Sequence, residues 1–328
     1  MSNDTLPADA ARAGVIATLQ QSRMDWLRQA GVAAGCIGLF VIFSALTSTF
    51  YQPANLLDIL LQSSINAVVA VGMTLVIMTK GIDLSVGSIV GVSSMIACSL
   101  LPYGMLAAVA VGSMVGLICG LINGVLIAKL NLPDFIVTLG TMSIYRGAAL
   151  IYTGGQPIYK IDKLFRSTFA GELAGIPTPV IFALVVAVLA YLLIRYTTLG
   201  EQIIAVGGNE EAARLSGINV DGVKIAVYAI SGVLSALAGF ILVARIGAAE
   251  PIGGNGFELQ AIGAAVIGGA SLFGGEGNSL GSLIGAITLG GMRNGLTLLN
   301  VPSFWQFVAT GVVVILAVLA DQLTRKRR

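Results

Sequence analysis

Arg195 to Lys224 read RYTTLGEQIIAVGGNEEAARLSGINVDGVK, and the chain on both sides of this stretch is apolar. It gathers seven charged residues, out of 18 basic and 16 acidic ones in the whole chain. Within it Asn209 is placed to cap a short helix whose first turn carries Glu210 and Glu211, and Gly217 is placed to end it. Two turns of helix are unstable alone in water, so something must hold them. The holder is either the chain's own surface or a second protein pressed against it, and the reading favours the second. A charged island between apolar flanks decides the fold class: it is a loop between two membrane crossings.

The composition agrees. Of 328 residues 56% are hydrophobic and 10% charged, with a mean hydropathy of +0.92, which cannot give a soluble globular surface. An all-α polytopic membrane protein is expected. Each crossing takes about 20 apolar residues, and about ten such runs fit. They leave no room for a soluble catalytic domain. Histidine is absent, which removes the commonest general base and proton relay. Cys36, Cys98 and Cys119 lie inside apolar runs and read as packing residues, neither disulfide nor metal ligands. The net charge of +2 carries no argument for a nucleic-acid partner, and none is expected.

Spans are predicted over 29–47, 59–79, 84–101, 105–128, 135–153, 179–195, 225–245, 258–272, 280–299 and 303–320. Residues 1–28 are polar, lack the apolar core of an export signal, and are expected as a cytoplasmic tail. Ten spans bring the basic end, 321–328, to the same side. Lys and Arg support this frame: twelve fall in loops and tails assigned inside, while Lys160, Lys163 and Arg166 alone are assigned outside. The expected organisation is therefore a permeation domain over 29–320, with an inward loop at 196–224 and an outward segment at 154–178. That segment, with Phe165 and Phe169, is read either as a docking ledge on the membrane surface or as a plain interfacial connector.

Gly112, Gly116, Gly120 and Gly124 recur every fourth residue and line one helix face, the pattern of close helix packing in lipid. Gly277, Gly281 and Gly285 repeat it. The heptamer Ser85 to Gly91 (SVGSIVG) echoes Ser279 to Gly285 (SLGSLIG), a faint trace of duplicated halves.

Polar residues interrupt these runs. Lys80 to Ser88 (KGIDLSVGS) sets Asp83 close to hydrocarbon, where it must pair, face water, or sit at the interface; capping the next helix, with Ser85 just inside, would satisfy free N–H groups. Asn66, Asn123, Arg146, Glu258, Gln260, Arg293 and Asn294 also fall in or near spans. Such groups either bond helix to helix or line a pathway.

Lys80 to Ser88, Leu132 to Gly140 (LPDFIVTLG), Gly207 to Gly217 (GGNEEAARLSG) and Gly268 to Gly277 (GGASLFGGEG) together resemble the membrane subunits of bacterial ATP-binding-cassette importers for monosaccharides, the ribose permease family in particular. The likeness runs from about residue 50 to 320 with the motifs in the family's order. It implies a multi-pass protein of the bacterial inner membrane that works with a second permease subunit, expected as an identical copy. Two cytoplasmic ATPase subunits would drive it and a periplasmic sugar-binding protein would feed it. No phosphate-binding G-x-x-x-x-G-K-[ST] run occurs, so ATP and magnesium are expected on the partner ATPase, with no cofactor, metal or catalytic residue here. By similarity the contact with that ATPase falls on Asn209, Glu210, Glu211, Ala212, Ala213, Arg214, Leu215 and Gly217, with Leu215 and Ile218 as apolar anchors. Asp83, Ser85, Asn123, Arg293 and Asn294 are the pathway or gate candidates. Two rival readings stand beside this one: the same architecture carrying a branched-chain amino acid or nucleoside, and a self-sufficient ion-coupled transporter. Missing histidines and scarce intramembrane acids count against the second.

Overall fold

The computed structural model describes residue 31 and residues 33–325. The predicted tail over 1–28 and the last three basic residues lie outside them. In chain order the helices are α1 (Ala33–Leu46), α2 (Pro53–Met78), α3 (Val86–Ser99), α4 (Met105–Lys129), α5 (Asp134–Thr153), α6 (Lys163–Ala170), α7 (Thr178–Tyr196), α8 (Thr198–Gly208), α9 (Glu210–Leu215), α10 (Val220–Ile246), α11 (Phe257–Ile267), α12 (Ser279–Leu298) and α13 (Ser303–Arg325). Each of the ten predicted runs meets a helix. Five of these, α2, α4, α5, α7 and α10, are long and apolar enough to cross a membrane, which makes the chain an all-α polytopic membrane protein.

Two predicted spans need correction. The run at 84–101 forms a helix of 14 residues and that at 258–272 one of 11. At 1.5 Å per residue these are roughly 21 and 17 Å, short of a bilayer core of about 30 Å. Helix α11 stops at Gly268 because Gly269 turns the backbone to φ +96°. Irregular backbone precedes α11: from Gly247 to Gly256 the chain runs in turns, with Gly253 N–H to Glu250 O and Asn255 N–H to Ile252 O. Backbone without a helix survives at membrane depth only where protein surrounds it, and this segment packs on the start of α3. A side chain at Gly87 would strike Gly254 O, and one at Gly91 would press on Pro251 O and Gly253 O. The echoing heptamer behaves alike at the far end of α11, with Gly281 against Gly268 O and Gly285 against Ala264 O. Both copies thus bring a helix onto the backbone that brackets α11.

The glycine stripe of α4 does what its spacing implies. Gly116 meets Gly232 O and Gly120 meets Tyr228 O, while a Cβ at Gly124 would lie 2.7 Å from Ile225 Cα. Helices α4 and α10 touch backbone to backbone. In lipid, where apolar side chains gain nothing by leaving water, this contact area supplies the attraction.

Helix α2 forms the centre. All but one of its residues from Ser63 to Met78 are buried, between α7, α10, α11 and α12. The segment at 154–178 is no loose connector. Phe165 and Phe169 of α6 are buried on Phe240 of α10, with ring centroids 6.2 and 5.7 Å away. A two-strand hairpin, β1 (Glu172–Leu173) with β2 (Ile176–Pro177), follows.

Candidate functional site: a fastened helix pair and two polar clusters

The charged island folds as two helices, α8 and α9, rather than the single short one expected. Thr197 caps the first by accepting from Gly200 N–H, and Asn209 caps the second by accepting from Ala212 N–H at 3.0 Å. Gly217, at φ +84°, ends α9 as its position implied. The chain itself supplies a holder for this helix. Ala213 is buried beneath α9. Glu210 pairs with Lys224 at 2.7 Å, and Arg214 pairs with Asp221 at 3.2 Å, the latter shared with Lys129. Partly exposed pairs of this kind give about 0–1 kcal/mol each, so together they pin the helix without making it immovable. Glu210 and Arg214 are therefore engaged internally. What remains outward is Glu211, Ala212, Ser216 and Leu215, the last 84% exposed.

The joint between α8 and α9 is fastened to the core. Gly207 lies so close to Met78 O and Gly275 N that any side chain there would collide with both. Gly275 N–H donates to Met78 O at 2.8 Å, and Lys80 Nζ reaches Gly208 O at 3.2 Å. The end of α2, the loop after α11 and the island joint thus meet at one point. A cavity of about 330 Å³ opens beside it, lined among others by Lys80, Asp134, Glu210, Lys224 and Tyr228. All four motif stretches of the sequence come to this end of the bundle.

The loop from Lys80 to Ser85 is held by α5. Ile82 N–H donates to Asp134 Oδ2 at 2.8 Å, and the Thr138 hydroxyl, one turn further on, reaches Ile82 O at 3.1 Å. Asp83 is wholly buried. It is not the helix cap: Ser85 takes that position, and Asp83 Oδ1 accepts the Ser85 backbone N–H at 3.0 Å and its hydroxyl at 2.6 Å. Ser231 donates to Oδ2. Asn123 donates to Ser85 Oγ at 2.8 Å, and Tyr145 to Asn123 Oδ1 and Cys119 O. Three of the five pathway candidates, Asp83, Ser85 and Asn123, therefore belong to one sealed knot that ties α3, α4, α5 and α10. No solvent reaches them.

Arg293 and Asn294 lie elsewhere, in a seam between α2, α11 and α12. Asn294 exchanges both amide hydrogen bonds with Asn55, at 2.9 and 3.0 Å. Gln260 Oε1 accepts from Arg293 Nη1 at 2.8 Å and from Asn66 Nδ2 at 2.7 Å. Asn66 Oδ1 and the neighbouring Ser63 Oγ are buried without a partner, as are Arg146 Nη2 and Glu258 Oε2. Asn55, Ser63, Tyr145 and Ser231 were not singled out from the sequence. Their one signal there is a polar residue inside an apolar run, which dozens of serines and threonines share.

Among the described residues no group of acidic, cysteine or histidine side chains is placed to hold a metal ion. A bundle of helices apolar enough to cross a membrane, with polar seams and a helix pair fastened at one end, suits a transport component. Its family follows from comparison: residues 55–318 match the model described as the permease component of branched-chain amino acid transport systems, and the chain belongs to that family. Among curated relatives, the ribose import permease RbsC of Escherichia coli K12 is 44% identical over 90% of this chain and 94% of its own. RbsC of Bacillus subtilis is 43% identical over 90% and 93%. The D-allose transport permease AlsC of E. coli K12 is 40% identical over 88% and 90%. The chain is a multi-pass permease of the inner membrane.

Proposed function

We propose that this chain is the membrane subunit of an ATP-binding-cassette importer carrying a monosaccharide, ribose first, across the inner membrane. One observation carries the reading: identity above 40% spread over nine-tenths of the chain, with relatives named as ribose import permeases. In this reading both termini lie in the cytoplasm, and 196–224 is the inward loop. The outward segment at 154–178 faces a periplasmic sugar-binding protein. ATP and magnesium act on separate ATPase subunits, and a second copy of the chain completes the pathway.

The outward face of α9 is the part the ATPase would grip, with Leu215 as apolar anchor and Glu211 beside it as a polar contact. Force on α9 has a short route inward. The α8–α9 joint is bonded to Lys80, just past the end of α2, and its Gly207 packs tightly on Met78 O and on Gly275 of the loop leading into α12, so a shift of the joint moves both. Helix α2 then carries the displacement to its other half, where Asn66 and Asn55 meet Gln260 and Asn294.

The family model's description favours one second reading, a branched-chain amino acid as cargo. Reconstitution with the cognate ATPase and binding protein separates them. ATP-dependent uptake of labelled ribose is expected. Uptake of leucine in its place selects the second reading, and uptake under a proton gradient without the ATPase overturns both.

A further inference from the structure

Resting on that reading, we propose that the seam between α2, α11 and α12 is a transient binding site for the vicinal hydroxyls of the sugar in transit, with Ser63, Asn66, Gln260 and Arg293 as its contacts. The four side chains form one contiguous patch. Gln260 Oε1 accepts from both Asn66 and Arg293. Ser63 lies one turn before Asn66 on α2 and presses its hydroxyl on Gly290, one turn before Arg293 on α12.

Two features separate this patch from ordinary helix bonding. Ser63 is 1% exposed, yet its Oγ has no hydrogen-bond partner, and Asn66 Oδ1 is likewise buried and alone. Buried polar atoms are nearly always paired, and a protein that needed these residues only for packing would do better with alanine and leucine there. In addition, Arg293 has no carboxylate within ion-pair reach among the described residues; its side chain donates to a neutral amide. A planar guanidinium presents parallel N–H donors, and two adjacent hydroxyls present parallel acceptors at matching spacing. The free serine and amide oxygens supply the acceptors that the same hydroxyls need as donors. Neutral and singly charged contacts of this kind hold a solute weakly enough to release it. The reciprocal Asn55–Asn294 pair closes the seam at its next turn, and it is a bond that breaks without leaving a net charge.

The test uses the full complex of chain, ATPase and binding protein in liposomes. Ser63→Ala removes no hydrogen bond of the resting fold, so its melting temperature is expected to equal or exceed that of the unaltered chain. Uptake of labelled ribose should nonetheless fall at least threefold, with ATP hydrolysis stimulated by the loaded binding protein kept within twofold. Asn66→Leu should lower uptake at least tenfold on the same ATPase criterion. In Ser63→Cys, with Cys36, Cys98 and Cys119 replaced, N-ethylmaleimide should label the new thiol during turnover, and excess ribose should slow the labelling at least threefold. Normal uptake by both Ser63→Ala and Asn66→Leu, or labelling indifferent to ribose, overturns the site while leaving the importer reading intact. No ribose uptake by the unaltered complex overturns both.

Discussion

The knot around Asp83 and the seam around Gln260 draw on the same kinds of residue and are built to opposite rules. In the knot, a carboxylate, two serines, an asparagine and a tyrosine from four helices are buried with every side-chain oxygen and nitrogen met. In the seam, Arg293 and Asn66 share the one amide oxygen of Gln260, while Ser63 Oγ and Asn66 Oδ1 are left unmet. A fully satisfied network in a low-dielectric interior is rigid, because each bond broken exposes a group that nothing else can solvate. An unsatisfied one is held together by less and opens at lower cost. The comparison assigns stability to one cluster and movement to the other.

The largest expected effect comes from breaking the knot. Asp83→Leu would strand the Ser85 N–H and the Ser231 hydroxyl and cost about 3 kcal/mol, read as a loss of folded protein in a detergent melting assay. Asp83→Asn keeps an acceptor and should retain most of it. If Asp83→Leu melts with the unaltered chain, the knot is not what ties α3 and α10. A smaller loss, about 2 kcal/mol, is expected for Gln260→Leu, which takes the shared acceptor from Arg293 and Asn66 in a partly accessible place. A cost equal to that of Asp83→Leu would erase the distinction between the clusters. Thr138→Val removes one donor from Ile82 O, which Tyr228 also reaches, and should cost about 1 kcal/mol in the same assay. The smallest stability effect belongs to Leu215→Ser, within about 0.5 kcal/mol because the side chain stands in the open. Its effect should appear instead as lost co-purification of the ATPase. Retained binding with full transport would take α9 out of the coupling role.

Much of this was legible in the sequence. Apolar runs gave the places of the long helices, the period-four glycines marked α4 for close packing without naming α10 as its partner, and Asn209, Glu210 and Gly217 gave the bounds of α9. These signals are local: spacing, capping and turn chemistry act within a few residues. What the sequence hid depends on partners far along the chain. Asp83 looked like a cap for its own helix, but three-dimensional neighbours, Ser231 at 148 positions away among them, turn it into a tie. Glu210 and Arg214 looked free for a partner until Lys224 and Asp221 came round to meet them. Arg293 and Asn294 share a helix with many small residues, and nothing local says that Gln260 and Asn55 await them. The shortness of α3 and α11 was equally hidden, since an apolar run reads the same whether its backbone coils or turns.

Helix α10 has a property that neither cluster shares. Its first turn holds α9 through Asp221 and Lys224, and its last turns hold α6 through Phe240, with roughly 30 Å of unbroken helix between them. It behaves as a stiff strut pinned at both ends. Neither α6 at one end nor α9 at the other can be displaced along the strut's axis unless its opposite mounting follows or a joint gives way, so events at the two ends of α10 share a single mechanical element.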